Sequence, residues 1–258
     1  MAPCLPHAPT SRDPGVRWGD EYDAGQTGMT LTPEDCEVIR LSLKVAIVGV
    51  ALTLPVAFAL AYALARGRFP GRILLDAVVH LPLVLPPVVT GWILLVLFGR
   101  NGPIGGWLDH AFGFTLMFRW TGAALAAAVM ALPLMVRAMR LSIEAVDRRL
   151  EGAARSLGAG PWRAFRTITL PLSLPGVWAG LVLGFARSLG EFGATISFVS
   201  NIPGQTRTLP IAIYTALQLP DGEATVVRLA LVSVALSLGA LVASEWLVRR
   251  QSGRAHVL

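Results

Sequence analysis

The chain has 258 residues, of which 54% are hydrophobic and only 15% are charged, and its mean hydropathy is +0.61. Soluble domains carry about 25% charged residues, so this composition excludes a disordered chain, a coiled coil and most soluble enzymes. The net charge is +6, and the basic residues lie beside apolar runs, which is typical of membrane topology and not of nucleic-acid binding. We therefore predict an all-α protein that crosses a membrane several times.

The N-terminal residues 1–37 differ from the rest of the chain, because they are polar and rich in proline and glycine. Residues 1–28 have no apolar core and do not form a signal peptide. We predict that residues 1–37 are a disordered extension and leader, with Met29 as the natural start; the alternative is a genuine periplasmic arm. Residues 38–250 are predicted to form the membrane domain, and residues 251–258 a cytoplasmic tail.

Five stretches reach the length of roughly 20 apolar residues that a membrane span needs. They are residues 41–65, 74–98, 122–141, 168–189 and 226–248. Two shorter apolar pieces, residues 192–199 and 209–219, are predicted to form a re-entrant or interfacial excursion. Thirteen arginines lie on the side that follows the first, third and fifth spans, against three in the opposite loops. This bias predicts an N-terminus outside and a C-terminus in the cytoplasm.

The basic loop between the third and fourth spans, about residues 143–167, carries the most specific signal. It predicts a short helix over residues 150–157, ended by Gly158, and a second short helix from Pro161. At helical spacing, two small apolar faces are formed by Ala153, Ala154 and Leu157 and by Trp162 and Phe165. These faces either fit a groove on a cytoplasmic partner or lie on the membrane interface.

The pattern of this loop resembles the EAA loop of ATP-binding-cassette importer permeases, which docks on the ATPase subunit. The residues that carry the resemblance are Ala153, Ala154, Gly158, Ile168, Leu170 and Pro171. It implies that the coupling residues are Glu151, Ala153, Ala154, Leu157, Gly158, Trp162, Phe165 and Pro171. One departure concerns the acidic position of the family, which falls on Gly152. Glu151 is displaced by one residue, which leaves open the contact that it makes.

Three further segments, residues 80–91, 186–195 and 198–208, are similar to segments of molybdate importer permeases, and the resemblance runs from about residue 31 to residue 250. It implies a homodimer in the bacterial inner membrane, with two ATPase subunits, a periplasmic molybdate-binding protein and transport by alternating access. Sulfate, thiosulfate and tungstate permeases remain close alternatives. A passive channel or membrane scaffold is the alternative from another class.

Enzyme chemistry is not expected of this chain. It has no glycine-rich phosphate loop, so we expect ATP and Mg²⁺ on the partner ATPase and no cofactor or metal on this polypeptide. Cys4 and Cys36 have neither metal-binding nor redox spacing. The partners that we expect are proteins and lipid, and no nucleic acid.

The interiors of the predicted spans contain no cluster of arginines. This suits an ion path, because an ion that is bound tightly within the membrane would not be released. Candidate path-lining residues are Thr90, Gly91, Ser188 and Gly190, although small residues also serve helix packing. Arg187 and Glu191, four residues apart, are predicted to form an ion pair that braces the outer gate. The alternative is a direct contact between Arg187 and the anion.

Overall fold

A computed structural model describes the backbone of residues 31–255 and the side chains of residues 31–240 and 242. All regular structure in this part of the chain is helical, which confirms the predicted fold class. The elements are α1 (Pro33–Arg66), α2 (Arg72–Val84), α3 (Pro87–Phe98), α4 (Pro103–Phe112), α5 (Trp120–Ala145), α6 (Arg148–Ser156), α7 (Pro161–Ala164), a π-helical turn (Phe165–Thr169), α8 (Leu170–Leu189), α9 (Gly193–Val199), α10 (Leu209–Ala216) and α11 (Glu223–Ala255).

Four of the described helical segments are long and apolar enough to cross a membrane. They are α1, α5, the segment from α7 through α8, and α11. The predicted count of five is reached when α2 and α3 are counted as one bent pair. The two short apolar pieces form α9 and α10, and α4 is a short helix that the sequence did not lead us to expect. The orientation across the membrane stays a prediction.

The second predicted span, residues 74–98, is divided between two helices. The chain bends by 116° between α2 and α3. Pro86 and Pro87 have no amide hydrogen to continue the α2 ladder, and the residue before a proline is driven out of the α region. Leu85 is accordingly extended, with φ −71° and ψ 142°. The predicted span over residues 74–98 is therefore divided into two helices, which together still meet the length and apolar character of one span.

Helix α1 begins inside the segment that we assigned to a disordered leader. The Thr32 hydroxyl accepts the amide of Asp35 (3.2 Å), and the Asp35 carboxylate accepts the amide of Thr32 (3.0 Å). This reciprocal cap fixes the start of the helix. Asp35 also lies 3.1 Å from the Arg228 guanidinium on α11. Residues 33–37 are thus helical and joined to the membrane domain, which corrects that part of the prediction.

The other predictions about the chain ends are only partly covered. Residues 1–30, including Met29 and Cys4, lie outside the described residues, so the extension and its start stay predictions. At the other end, α11 continues through residues 251–255, the first part of the predicted tail. The last three residues lie outside the described chain.

The core forms where α1 and α8 pack closely on α5. Glycine permits this approach, since a Cβ on Gly49 would lie 3.0 Å from the Ala124 carbonyl oxygen. On α8, a Cβ on Gly180 would lie 3.2 Å from the Met135 carbonyl oxygen, and one on Gly184 would lie 2.7 Å from the Met135 sulfur. Small residues of this kind let membrane helices pack backbone to backbone. The result is a three-helix scaffold, with the basic loop at one end and the candidate gate residues at the other.

Candidate functional site

The loop after α5 forms the two short helices that its sequence predicts. The Asp147 carboxylate accepts the amide of Arg149 (2.9 Å) and caps α6. At the other end, Gly158 has φ +86°, the left-handed conformation that favours glycine. Gly158 and Ala159 donate to the carbonyls of Arg155 and Ala154, both at 3.0 Å. These two bonds are a Schellman motif, which turns the chain sharply between α6 and α7.

The apolar side chains of this loop divide into exposed and anchored groups. Leu157 is 89% exposed and Trp162 is 68% exposed. The Phe165 ring stacks on Trp162, with 5.3 Å between ring centroids, and also meets the rings of Tyr62 (5.2 Å) and Phe58 (6.1 Å) on α1 edge-on. Phe165 therefore attaches the loop to α1, while Leu157 and Trp162 present an apolar surface on the outside of the loop.

The Glu151 carboxylate is turned towards the membrane domain. The Thr169 hydroxyl donates to Glu151 Oε1 (2.6 Å), and Arg66 Nη2 lies 3.2 Å from the same oxygen. Arg66 also donates to the Val146 carbonyl (2.9 Å). A second arginine, Arg148, donates to the Ala65 carbonyl (3.3 Å). These contacts join α6 to the end of α1 and to the start of α8. The sequence left the contact of Glu151 open, and the structure places it within this chain.

The second loop helix and the fourth span form one continuous segment, Pro161–Leu189. Pro171 would clash with the carbonyl of residue 167 in a regular α-helix. The chain avoids this by widening into the π-helical turn Phe165–Thr169, where Leu170 donates to the Phe165 carbonyl. A π turn of this kind keeps the helix continuous. No loop therefore separates α7 from α8.

At the opposite end of α8 lies the predicted ion pair of Arg187 and Glu191. The Arg187 Nη1 and Glu191 Oε2 atoms are 2.6 Å apart at an angle unsuited to a hydrogen bond, so the contact is mainly electrostatic. Glu191 is 2% exposed, and its other oxygen accepts the amide of Ala194 at 2.8 Å. The carboxylate thus ties the end of α8 to the first turn of α9.

The other candidate path residues lie close to this pair but in different settings. Gly91 on α3 packs against α9, since a Cβ there would lie 2.6 Å from the Ala194 carbonyl oxygen. Thr90 and Ser188 are buried, and among the described residues their hydroxyls have no hydrogen-bond partner. Gly190 is exposed at the edge of a cavity of about 420 Å³. Gly91 and Glu191 therefore both lie against Ala194.

Several structural contacts were missed from the sequence. Arg66 and Thr169 hold Glu151, but they lie 85 and 18 positions from it, and no local pattern connects them. A second cluster joins α2 to α5, where Arg140 lies 3.0 Å from Asp76 and 2.9 Å from Glu144. The spacing of four residues between Arg140 and Glu144 is a signal that could have suggested that pair.

A bundle of apolar helices with an anchored, partly exposed loop at one end defines a multi-pass membrane protein. A family model described as binding-protein-dependent transport system inner membrane component matches residues 53–253. The chain belongs to this family. It is a membrane transport component of the inner membrane.

Relatives and solved structures agree with this membership. The chain is 58% identical over 227 residues to the molybdenum transport system permease protein ModB of Escherichia coli (strain K12), covering 88% of this chain and 99% of that protein. It is 38% identical over 177 residues to the sulfate transport system permease protein CysW of Synechococcus elongatus, covering 69% and 62%. A bacterial ABC transporter that imports alginate shares the fold, with a TM-score of 0.68 and 16% identity over 85% of this chain and 80% of that one.

Proposed function

We propose that the chain is the membrane-spanning subunit of an ATP-binding-cassette importer for molybdate. The observation that carries this proposal is the 58% identity to a molybdenum transport permease, over 99% of that protein's length. The sulfate permease is related at 38% identity over a smaller part of both chains. Molybdate is therefore the favoured ion, with sulfate, thiosulfate and tungstate as the competing oxyanions.

The proposed energy source is a separate cytoplasmic ATPase that holds ATP and Mg²⁺. Leu157 and Trp162, together with Ala153 and Ala154, form the surface that would dock on this subunit. Their exposure on a loop fixed by Phe165 supports the assignment. ATP binding would draw two ATPases together, and the loop would pass that movement to the spans. Hydrolysis would then return the path to its inward-facing state.

The proposed ion path uses no fixed cluster of positive charge, because an ion bound tightly within the membrane would not leave. The polar and small surfaces of this path are supplied by Thr90, Ser188 and Gly190. Gly91 allows α3 to pack closely against α9 beside them. The ion pair at Glu191 braces the outer gate by holding α8 against α9. Selection of the ion is assigned to an external binding protein.

The proposed assembly contains two copies of this chain, two ATPase subunits and one periplasmic binding protein. A solved alginate ABC transporter with the same fold is described in complex with a periplasmic protein bound to an alginate pentasaccharide. This supports a binding-protein partner for the present chain. The stoichiometry is part of the proposal.

The test is to reconstitute the chain with its ATPase and binding protein in vesicles and to measure ATP hydrolysis. We expect molybdate-loaded binding protein to stimulate hydrolysis and uptake, and a tenfold excess of sulfate to compete poorly. Sulfate-driven stimulation would instead identify a sulfate importer, and full uptake without the ATPase would identify a passive channel.

A matched pair of variants tests the docking surface. Ala154→Glu places a charge on the proposed surface and is expected to abolish uptake while the protein still inserts in the membrane. Gln218→Glu adds the same charge at an exposed position in the loop after α10 and is expected to leave uptake unchanged. Normal ATP-coupled uptake by Ala154→Glu would contradict the assignment of the surface.

A further inference from the structure

A groove between α1 and α5 is not used by the proposed transport function. Its volume is about 500 Å³. The two helices run parallel, since Lys44 lies beside Trp120 at one end and Arg66 reaches Val146 towards the other. The walls of the groove are apolar and include Val48, Leu52, Val56, Leu125, Val129 and Leu132. The wall on α5 extends from Trp120 to Leu132, about 18 Å at the rise of an α-helix.

Two basic side chains lie at one end of this groove. Lys44 Nζ is 3.7 Å from the centre of the Trp120 ring. The Arg119 guanidinium carbon is 5.9 Å from the centre of the Phe114 ring. Both rings line the groove. Within residues 31–240, neither cation forms an ion pair with a carboxylate. The groove thus combines a long apolar channel with two positive charges at its mouth.

We infer that this groove binds one anionic glycerophospholipid from the surrounding membrane. Its phosphate lies between Lys44 and Arg119, and one acyl chain occupies the channel between α1 and α5. The charge at the mouth selects an anionic headgroup, because two basic side chains close together attract a negatively charged lipid more strongly than a zwitterionic one. Trp120 suits this position, because tryptophan is enriched at the level of lipid headgroups. A small soluble anion would leave the apolar channel unfilled, whereas a lipid satisfies both parts of the site.

The lipid site is tested by native mass spectrometry of the full chain in mild detergent. The probes are phosphatidylglycerol and phosphatidylcholine with identical acyl chains. We expect the wild-type chain to retain phosphatidylglycerol in preference. Each basic residue at an anionic surface contributes a factor of about five in affinity, so Lys44→Gln with Arg119→Gln should weaken retention by about 25-fold. Lys44→Arg should preserve it, and Arg100→Gln, in another loop and paired with Asp109, is the matched control.

The channel is tested separately from the charges. Ala128→Phe fills the groove from α5 and is expected to abolish retention of the lipid. Ala51→Phe adds the same ring on an exposed face of α1 outside the groove and should have no effect. Equal retention of both lipids by the wild-type chain, or unchanged retention by Ala128→Phe, would overturn the inference. A disulfide between two copies through Leu52→Cys, formed while no lipid is retained, would show that a second chain covers the groove and would also overturn it.

Discussion

The Glu151→Ala substitution should loosen the coupling loop by an amount that the structure allows to be worked out. Glu151 accepts a 2.6 Å hydrogen bond from Thr169 and lies 3.2 Å from Arg66. A hydrogen bond to a charged group contributes about 1.5 to 3 kcal/mol. The Arg66 side chain is 11% exposed and that of Glu151 is 25% exposed, so the cost of desolvating both charges offsets much of their attraction, and we assign the ion pair about 1 kcal/mol. We expect local opening of α6 to become easier by about 2 to 3 kcal/mol, which is about 30- to 150-fold in the opening equilibrium.

Hydrogen exchange over residues 148–164, measured by mass spectrometry in the purified full chain, reports this opening. The informative comparison is a cycle of Glu151→Ala, Arg66→Ala and the double variant, because neighbours in one network are not additive. We expect a coupling energy of about 1 kcal/mol. Thr169→Val removes the hydroxyl that donates a hydrogen bond to Glu151. Thr167→Val is its control, since the Thr167 hydroxyl donates to the Arg163 carbonyl one turn earlier.

The functional counterpart is the number of ATP molecules hydrolysed for each ion imported by the reconstituted complex. If Glu151 transmits force within the chain, Glu151→Ala should raise this ratio while the affinity for the ATPase stays unchanged. A loss of ATPase affinity with normal exchange of α6 would show that Glu151 contacts the ATPase instead. Additive effects of Glu151→Ala and Arg66→Ala on exchange would refute the proposed link between α6 and α1.

Three further substitutions test other parts of the structure. Gly158→Ala should destabilise the turn after α6 by about 1 to 2 kcal/mol, because Gly158 has φ +86° and a Cβ is unfavourable there. Its control is Gly152→Ala, where a Cβ also has free space around it and should not speed hydrogen exchange. Gly91→Ala places a methyl group 2.6 Å from the Ala194 carbonyl oxygen and should lower the yield of folded protein on size-exclusion chromatography. Gly239→Ala adds a methyl group where no other atom lies within 4 Å and should match the wild type. Glu191→Gln leaves the partly buried Arg187 guanidinium without its carboxylate partner, so we expect the free energy of unfolding to fall by about 2 kcal/mol. Unchanged uptake would contradict a role in the gate.

The helices and their approximate ends follow from the sequence because apolar length and capping residues are local signals. The end of α6 is the clearest example, since only glycine suits the conformation at residue 158. The bend between α2 and α3 could be expected only in part. Pro86 and Pro87 predict a break, but the angle of 116° depends on contacts with other helices. Hydropathy along the chain carries no information about the direction of the bend.

The internal contacts of the candidate site were less predictable for the same reason. Arg187 and Glu191 are four residues apart at the end of α8 and just beyond it, so their pairing was foreseen. Glu151 instead pairs across 85 positions with Arg66, and only the fold brings these residues together. The π-helical turn before Pro171 was also missed. It accommodates the proline within a longer helix, and a local sequence pattern does not reveal it. Local sequence patterns thus predicted where the loop lies in the chain, but not its contacts with α1.

The attachment of the loop indicates how movement would reach the gate. Under the proposed coupling role, the loop would push α8 directly, because Pro161–Leu189 is one helical segment, and it is attached to α1 through Glu151 and Phe165. From Leu170 to Leu189 an α-helix is about 28 Å long, so α8 connects this loop at one end with Arg187 at the other. Gly176, Gly180 and Gly184 lie where α8 approaches α5 most closely, against Ser142, Met139 and Met135. If the loop moves, α8 is therefore the element through which we expect the movement to reach the ion pair.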